Sequence, residues 1–177
     1  SDFENFRAER PEFGAAWREE LTATVRTLVQ NRWPIRIHAT YDESIDSILS
    51  VFEAVDREEK AAGRHGFNNL RWAIDHAETV APAQIARIKA LGGGVLVQGR
   101  MAFAGEDFVE RYGPEATGRA PPIGEILAAG IPVGAGTDGT RVSSYNPWIA
   151  LYWMDTGKSV GGITLLARGN RGARAKA

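Results

Sequence analysis

The chain has 177 residues and 19.2 kDa, with 44% apolar and 24% charged side chains, the balance of an ordinary folded domain rather than of a disordered, collagen-like or coiled-coil chain. Twenty-one basic against 22 acidic residues give a net charge of −1, which lacks the basic excess of a nucleic-acid binder, and no apolar run approaches the length a membrane span needs. The absence of cysteine excludes disulfide scaffolds, CxxC redox sites and thiolate-held zinc or iron–sulfur centres.

The sequence opens Ser1-Asp2-Phe3 with neither an initiator Met nor an apolar leader. That start is expected either of a chain whose leader was removed by processing or of one lying inside a longer protein, so a signal peptide cannot be judged, and the cytoplasm is the default compartment. Trp17, Leu21, Val25, Leu28 and Val29 share one stripe at spacings of three and four, predicting an amphipathic helix over 13–32. Pro34 breaks it, and Ile35-Arg36-Ile37-His38 alternates as a short strand. Thr40 and Glu43 read as a capping box ahead of Ile45, Ile48, Leu49 and Phe52, a second helix stopping at Gly63.

A second strand follows over 70–76, and then Pro82 opens a helix that ends at Gly92-Gly93. The third strand is Gly94–Gln98. A long polar connection, 99–120, leads to a short helix with Ile123, Ile126 and Leu127. Ile131–Gly136 reads as the fourth strand, and Pro147 opens an apolar helix, 148–154. The last ten residues, 168–177, carry four positive charges and no acid; they are expected to be a disordered basic tail, leaving 1–167 as the folded unit.

Repeated β-α alternation predicts an α/β fold with parallel strands joined by crossover helices. The strands read as apolar on both faces, as when helices cover a sheet on both sides. Four such units make half of an eightfold barrel or a small open sheet, and rhythm alone does not separate the two.

In a parallel sheet all strand C-termini open on one side, where ligands bind. His38 ends the first strand, His76 the second, and Asp138 stands just beyond the fourth. Two imidazoles and a carboxylate suit a divalent transition metal, zinc first and manganese or iron next. Asp75, beside His76, is expected by strand alternation to point away from that metal. His65, the third histidine, lies in a polar loop and reads as an ordinary exposed residue. Arg100 and Arg141, in the loops after strands three and four, have the fork geometry to hold a substrate carboxylate. A competing pattern is Gly134-Ala135-Gly136-Thr137-Asp138-Gly139, a GxGxxG after a strand. A dinucleotide turn needs a helix starting within the glycines, and the residues after Gly139 show no helical period.

The segments Ile35-Arg36-Ile37-His38-Ala39-Thr40-Tyr41-Asp42, Trp72-Ala73-Ile74-Asp75-His76-Ala77-Glu78 and Val133-Gly134-Ala135-Gly136-Thr137-Asp138-Gly139, in this order, resemble the amidohydrolase superfamily and within it the amidohydrolase 3 group. The resemblance implies a (β/α)8 TIM barrel of which this chain is the second half, strands five to eight. It implies that His38 and His76 are metal ligands, with Asp138 a ligand or the base that takes a proton from water. The implied reaction is hydrolysis of a carbon–nitrogen, non-peptide, amide-like bond in a small molecule. Tyr41 replaces the usual glycine of the family's pattern, and Asp75 stands where glutamate is common. The family's first-strand His-x-His pair and its fourth-strand carboxylate or modified lysine have no counterpart in these residues. The expected partner is therefore the missing N-terminal half-barrel, without which the chain is inactive. The alternatives are a small nucleotide-binding module using the 134–139 turn, and a catalytically inactive half-barrel acting by association.

Overall fold

The computed structural model describes residues 13–117, 120–139 and 143–165. In chain order these form α1 (Ala15–Gln30), β1 (Ile35–Ala39), α2 (Asp42–Ala61), β2 (Trp72–His76), α3 (Pro82–Ala90), β3 (Gly94–Gln98), α4 (Met101–Tyr112), α5 (Pro114–Thr117), α6 (Ile123–Ala128), β4 (Val133–Gly136) and α7 (Pro147–Thr156). The tail expected over 168–177 and Arg141 lie outside the described residues. No described helix is long and apolar enough to cross a membrane.

The four strands form one parallel sheet in the order β1-β2-β3-β4, each joined to the next through helix. The register aligns Ile35 with Trp72, Ile37 with Ile74, and Ile74 with Val95. That face, with Val97, is packed into a continuous apolar core with α2, α3 and α4. Its densest part is an aromatic group: the Phe52 ring lies 5.0 Å from Phe67 and 5.1 Å from Trp72, whose Nε1 donates to Leu91 O at 3.0 Å.

The other face is different in kind. Register places Arg36 beside Ala73, His38 beside Asp75, Asp75 beside Leu96, and Gln98 beside Gly136. Arg36 and His38 are exposed there. The expectation of strands apolar on both faces is thus corrected: helices cover one face, and the second carries polar side chains from β1, β2 and β3. A sheet with helices on one side and an alternating polar second face is consistent with part of a TIM barrel, whose strands turn that face inward.

Two local expectations change. The Thr40–Glu43 capping box does not form. Tyr41 occupies the N-cap of α2 without a side-chain cap, and the Asp42 N–H instead donates to Thr79 Oγ1 at 2.9 Å. The region 99–120 is not a simple loop, since α4 and α5 fill most of it. Met101, Gly105 and Phe108 form a buried helical stripe, and glycine at 105 leaves room for Leu165, which a Cβ there would strike. Pro82 and Pro147 do open their helices; Gln84 reaches back to the Ala81 N–H at 2.9 Å, and Asn146 accepts from the Trp148 N–H at 3.0 Å.

Candidate metal centre

The parallel strands deliver three side chains to one rim. His38 stands next to last in β1, His76 ends β2, and Asp138 follows β4. The His38 and His76 rings meet edge to face with centroids 4.4 Å apart, and His76 Nε2 lies 3.9 Å from Asp138 Oδ2. The three residues are therefore neighbours, but they do not form a finished cage. Among the described residues no group of three or more His, Asp or Glu is spaced to hold a metal.

Backbone geometry explains how His76 reaches the rim. Strict alternation along β2 would send it to the helix-packed face, opposite Asp75. Instead φ is positive at His76 (75°) and Ala77 (54°), and again at Asp138 (53°). Left-handed backbone is uncommon outside glycine and, where it occurs, concentrates at functional sites. Two hydrogen bonds tie this bend to the end of β1: Ala77 N–H to Ala39 O at 3.0 Å and Thr79 N–H to Thr40 O at 3.3 Å.

The same bend folds Glu78 back onto His76, with Oε1 3.1 Å from Nδ1. Both side chains are buried, Glu78 at 1% exposure and His76 at 5%, and Glu78 Oε2 has no hydrogen-bond partner. Burial works against the charged imidazole, but the Glu78 hydrogen bond and the negative charges of Glu78 and Asp138 outweigh it. Arg100 opposes them weakly, and the net pKa of His76 is raised. Near His38, Nε2 lies 3.3 Å from Thr40 Oγ1.

Arg100 is 4% exposed at the start of α4. Its charge bears on both His76 and Tyr41, so it belongs to the buried wall of the site. Tyr41 is also buried; desolvation and a hydrogen bond with Tyr112 push its phenol pKa up.

Asp75 does not point away from the open face as alternation suggested. It shares that face with His38, its register partner. Its two oxygens are engaged below the rim, accepting from Arg36 Nε at 2.5 Å and Gln98 Nε2 at 2.8 Å. His65 is exposed, as expected.

Sequence reasoning missed Glu78, whose signal was an acid two residues after a strand-end histidine. The objection to the GxGxxG pattern, that no helix starts within its glycines, agrees with the structure. Gly134 and Gly136 lie against Leu96 and Gln98, where a Cβ would collide with those side chains, and among the described residues the next helix begins at Pro147. No helix N-terminus sits within the glycines, so the nucleotide-binding alternative loses its phosphate site.

The donor set fits a divalent metal in kind. It offers two imidazoles and a carboxylate, and the Nδ1 of one imidazole is already engaged by a buried carboxylate, the usual outer partner of a metal-bound histidine.

Two solved structures are similar to this chain. One is an uncharacterized metal-dependent hydrolase from Pyrococcus horikoshii OT3, at 25% identity and a TM-score of 0.61 over 78% of this chain and 26% of that one. The other is an uncharacterized metal-dependent hydrolase from Pyrococcus furiosus, at 21% identity and a TM-score of 0.64 over 87% of this chain and 28% of that one. The chain therefore spans about a quarter of the length of each. No curated protein matches it. The Amidohydrolase family model matches residues 3–177, nearly the entire sequence, and the chain belongs to the amidohydrolase family.

Proposed function

We propose that this chain supplies strands five to eight of a (β/α)8 barrel. Joined to the N-terminal half, it forms a metal-dependent enzyme that hydrolyses a carbon–nitrogen, amide-like bond in a small molecule. In this reading His38, His76 and Asp138 hold a divalent metal, zinc first, and the N-terminal half contributes the remaining ligands. The observation that carries it is the convergence of three potential ligands from β1, β2 and the turn after β4 on one rim, within 4.4 Å between rings and 3.9 Å from imidazole to carboxylate. The open polar face of the sheet and the chain's quarter share of its structural neighbours support the half-barrel part.

When bound, the metal supplies Lewis acidity that lowers the pKa of water from about 15.7 toward ~7. The protein's own contribution is positional. Asp138, about one-third exposed at its side chain, faces the opening and accepts the proton of the attacking water, then passes it to the leaving nitrogen. His76 is fixed by its buried setting. Arg141 would meet a substrate carboxylate from the loop after β4, whereas Arg100, buried in the wall, shapes the field at Tyr41 and His76.

The test is made on the complete protein. Zinc-loaded enzyme should release amine or ammonia from members of an amide-like panel, lose activity to a chelator and regain it with zinc. Turnover that survives full metal removal would contradict the metal reading, and cleavage of esters without any C–N substrate would contradict the bond assignment.

A further inference from the structure

Glu78 is a buried carboxylate with one oxygen on His76 Nδ1 and the other without a partner. Burying a carboxylate with an unmatched oxygen is costly, more so than leaving a neutral polar atom unsatisfied. No other hydrogen bond to the carboxylate is seen among the described residues that would explain its place. The backbone, in contrast, is tied down on both sides of it. Ala77 and Thr79 are bonded to the end of β1, and Thr79 Oγ1 accepts from the first amide of α2 and donates to Asp42 Oδ1 at 3.2 Å. The bend 76–79 thus holds Glu78 against one edge of the imidazole while the opposite edge faces Asp138.

An ionised carboxylate only accepts hydrogen bonds, so the nitrogen it meets must donate. We infer that Glu78 is a positioning residue that locks neutral His76 in the Nδ1–H form and presents the Nε2 lone pair, aimed at Asp138, as a metal ligand. The inference rests on the metal reading proposed above for its purpose, but the tautomer it names is a property of this chain and is read without metal. Carboxylates behind metal-bound histidines act in this way, fixing the tautomer and ring orientation, and their removal typically costs 10- to 100-fold in metal affinity.

The experiment labels the chain with [15N]histidine, which gives signals from only three imidazoles, and reads their nitrogens at a pH where all are neutral. His76→Gln identifies the His76 pair. The wild type should carry the proton on Nδ1. Glu78→Ala should move it to Nε2, and Glu78→Gln, whose carbonyl still accepts, should restore Nδ1–H. In the complete protein, zinc affinity should fall about 10- to 100-fold in Glu78→Ala and recover most of that loss in Glu78→Gln. If the separate chain does not fold, the same labelling and the same His76→Gln marker are applied to the complete protein. An Nδ1–H signal unchanged in Glu78→Ala overturns the inference, as does an unchanged zinc affinity where His76→Ala abolishes binding. If His76→Ala leaves zinc binding intact while the tautomer follows Glu78, the metal reading fails and the tautomer assignment stands.

Discussion

His76 Nε2 and Asp138 Oδ2 stand 3.9 Å apart although β3 separates their strands in the sheet. Left-handed backbone at both residues closes that gap, turning each side chain from its own strand end toward the common rim. The proximity is thus built by local backbone conformation as much as by strand order, and it defines what substitutions at each residue should do.

Asp138→Asn keeps the size of the side chain and removes the carboxylate proposed as the proton acceptor. In the complete enzyme kcat should fall by about 10² to 10⁴, the usual worth of a placed acid–base group, with a smaller loss of bound metal. Asp75→Asn is the comparison, because its oxygens serve Arg36 and Gln98 rather than the rim. Steady-state kinetics should show a much smaller loss for Asp75→Asn. Equal losses would place the base elsewhere.

Metal content separates the three histidines. If both histidines hold the metal as proposed, His38→Ala and His76→Ala should each leave the purified complete protein well below stoichiometric metal. His65→Ala, on an exposed loop, should retain the wild-type content. Elemental analysis of the three variants decides this, and a metal-poor His65→Ala would point to a different site.

The acid limb of stability should involve Glu59, far from the rim. Hydrogen bonds from Arg64 dominate its setting, burial opposes them, and Gln30 Nε2 adds a further bond at 2.9 Å; together they pull its pKa down to about 2. An ordinary glutamate in the unfolded chain titrates near ~4.3. The unfolded state therefore takes up its proton first as pH falls, so the stabilisation present above pH ~4.3 is lost progressively toward pH ~2. Thermal melts should show a shallower decline over that window in Glu59→Gln than in the wild type. Parallel declines would mean that the Arg64 pair does not persist in solution.

Gly93 tests the core behind the sheet. A Cβ there would enter the six-membered ring of Trp72, which packs on Phe52 and Phe67 and bonds to Leu91 O. Gly93→Ala should cost about 1–3 kcal/mol, the range for overpacking a filled core, and should perturb tryptophan fluorescence. Denaturant unfolding with no change in midpoint would show that the indole can shift freely.

The β-α order, the helix-opening prolines and the positions of His38, His76 and Asp138 were legible because they depend on local periodicity and on a rule of parallel sheets. What escaped depends on contacts distant in sequence. Thr79, not Thr40, meets the first amide of α2, since the bend after β2 lies against it. Helix α4, within what reads as a long polar connection, owes its buried stripe to a distant contact, the approach of Leu165 to Gly105 from 60 positions downstream. Glu78 escaped because its link to His76 depends on two left-handed residues that no spacing rule anticipates. The burial of Arg100, read from the sequence only as a loop residue able to hold a carboxylate, likewise comes from tertiary packing.

The central claim, that His38, His76 and Asp138 share a catalytic metal, is tested most directly by anomalous diffraction at the zinc edge from crystals of the complete, zinc-loaded protein. The account predicts a peak about 2.0–2.1 Å from His76 Nε2, with His38 and Asp138 completing this chain's share of the ligands. A fully occupied zinc elsewhere, with His76 still turned toward Asp138 and no anomalous density between them, would contradict it.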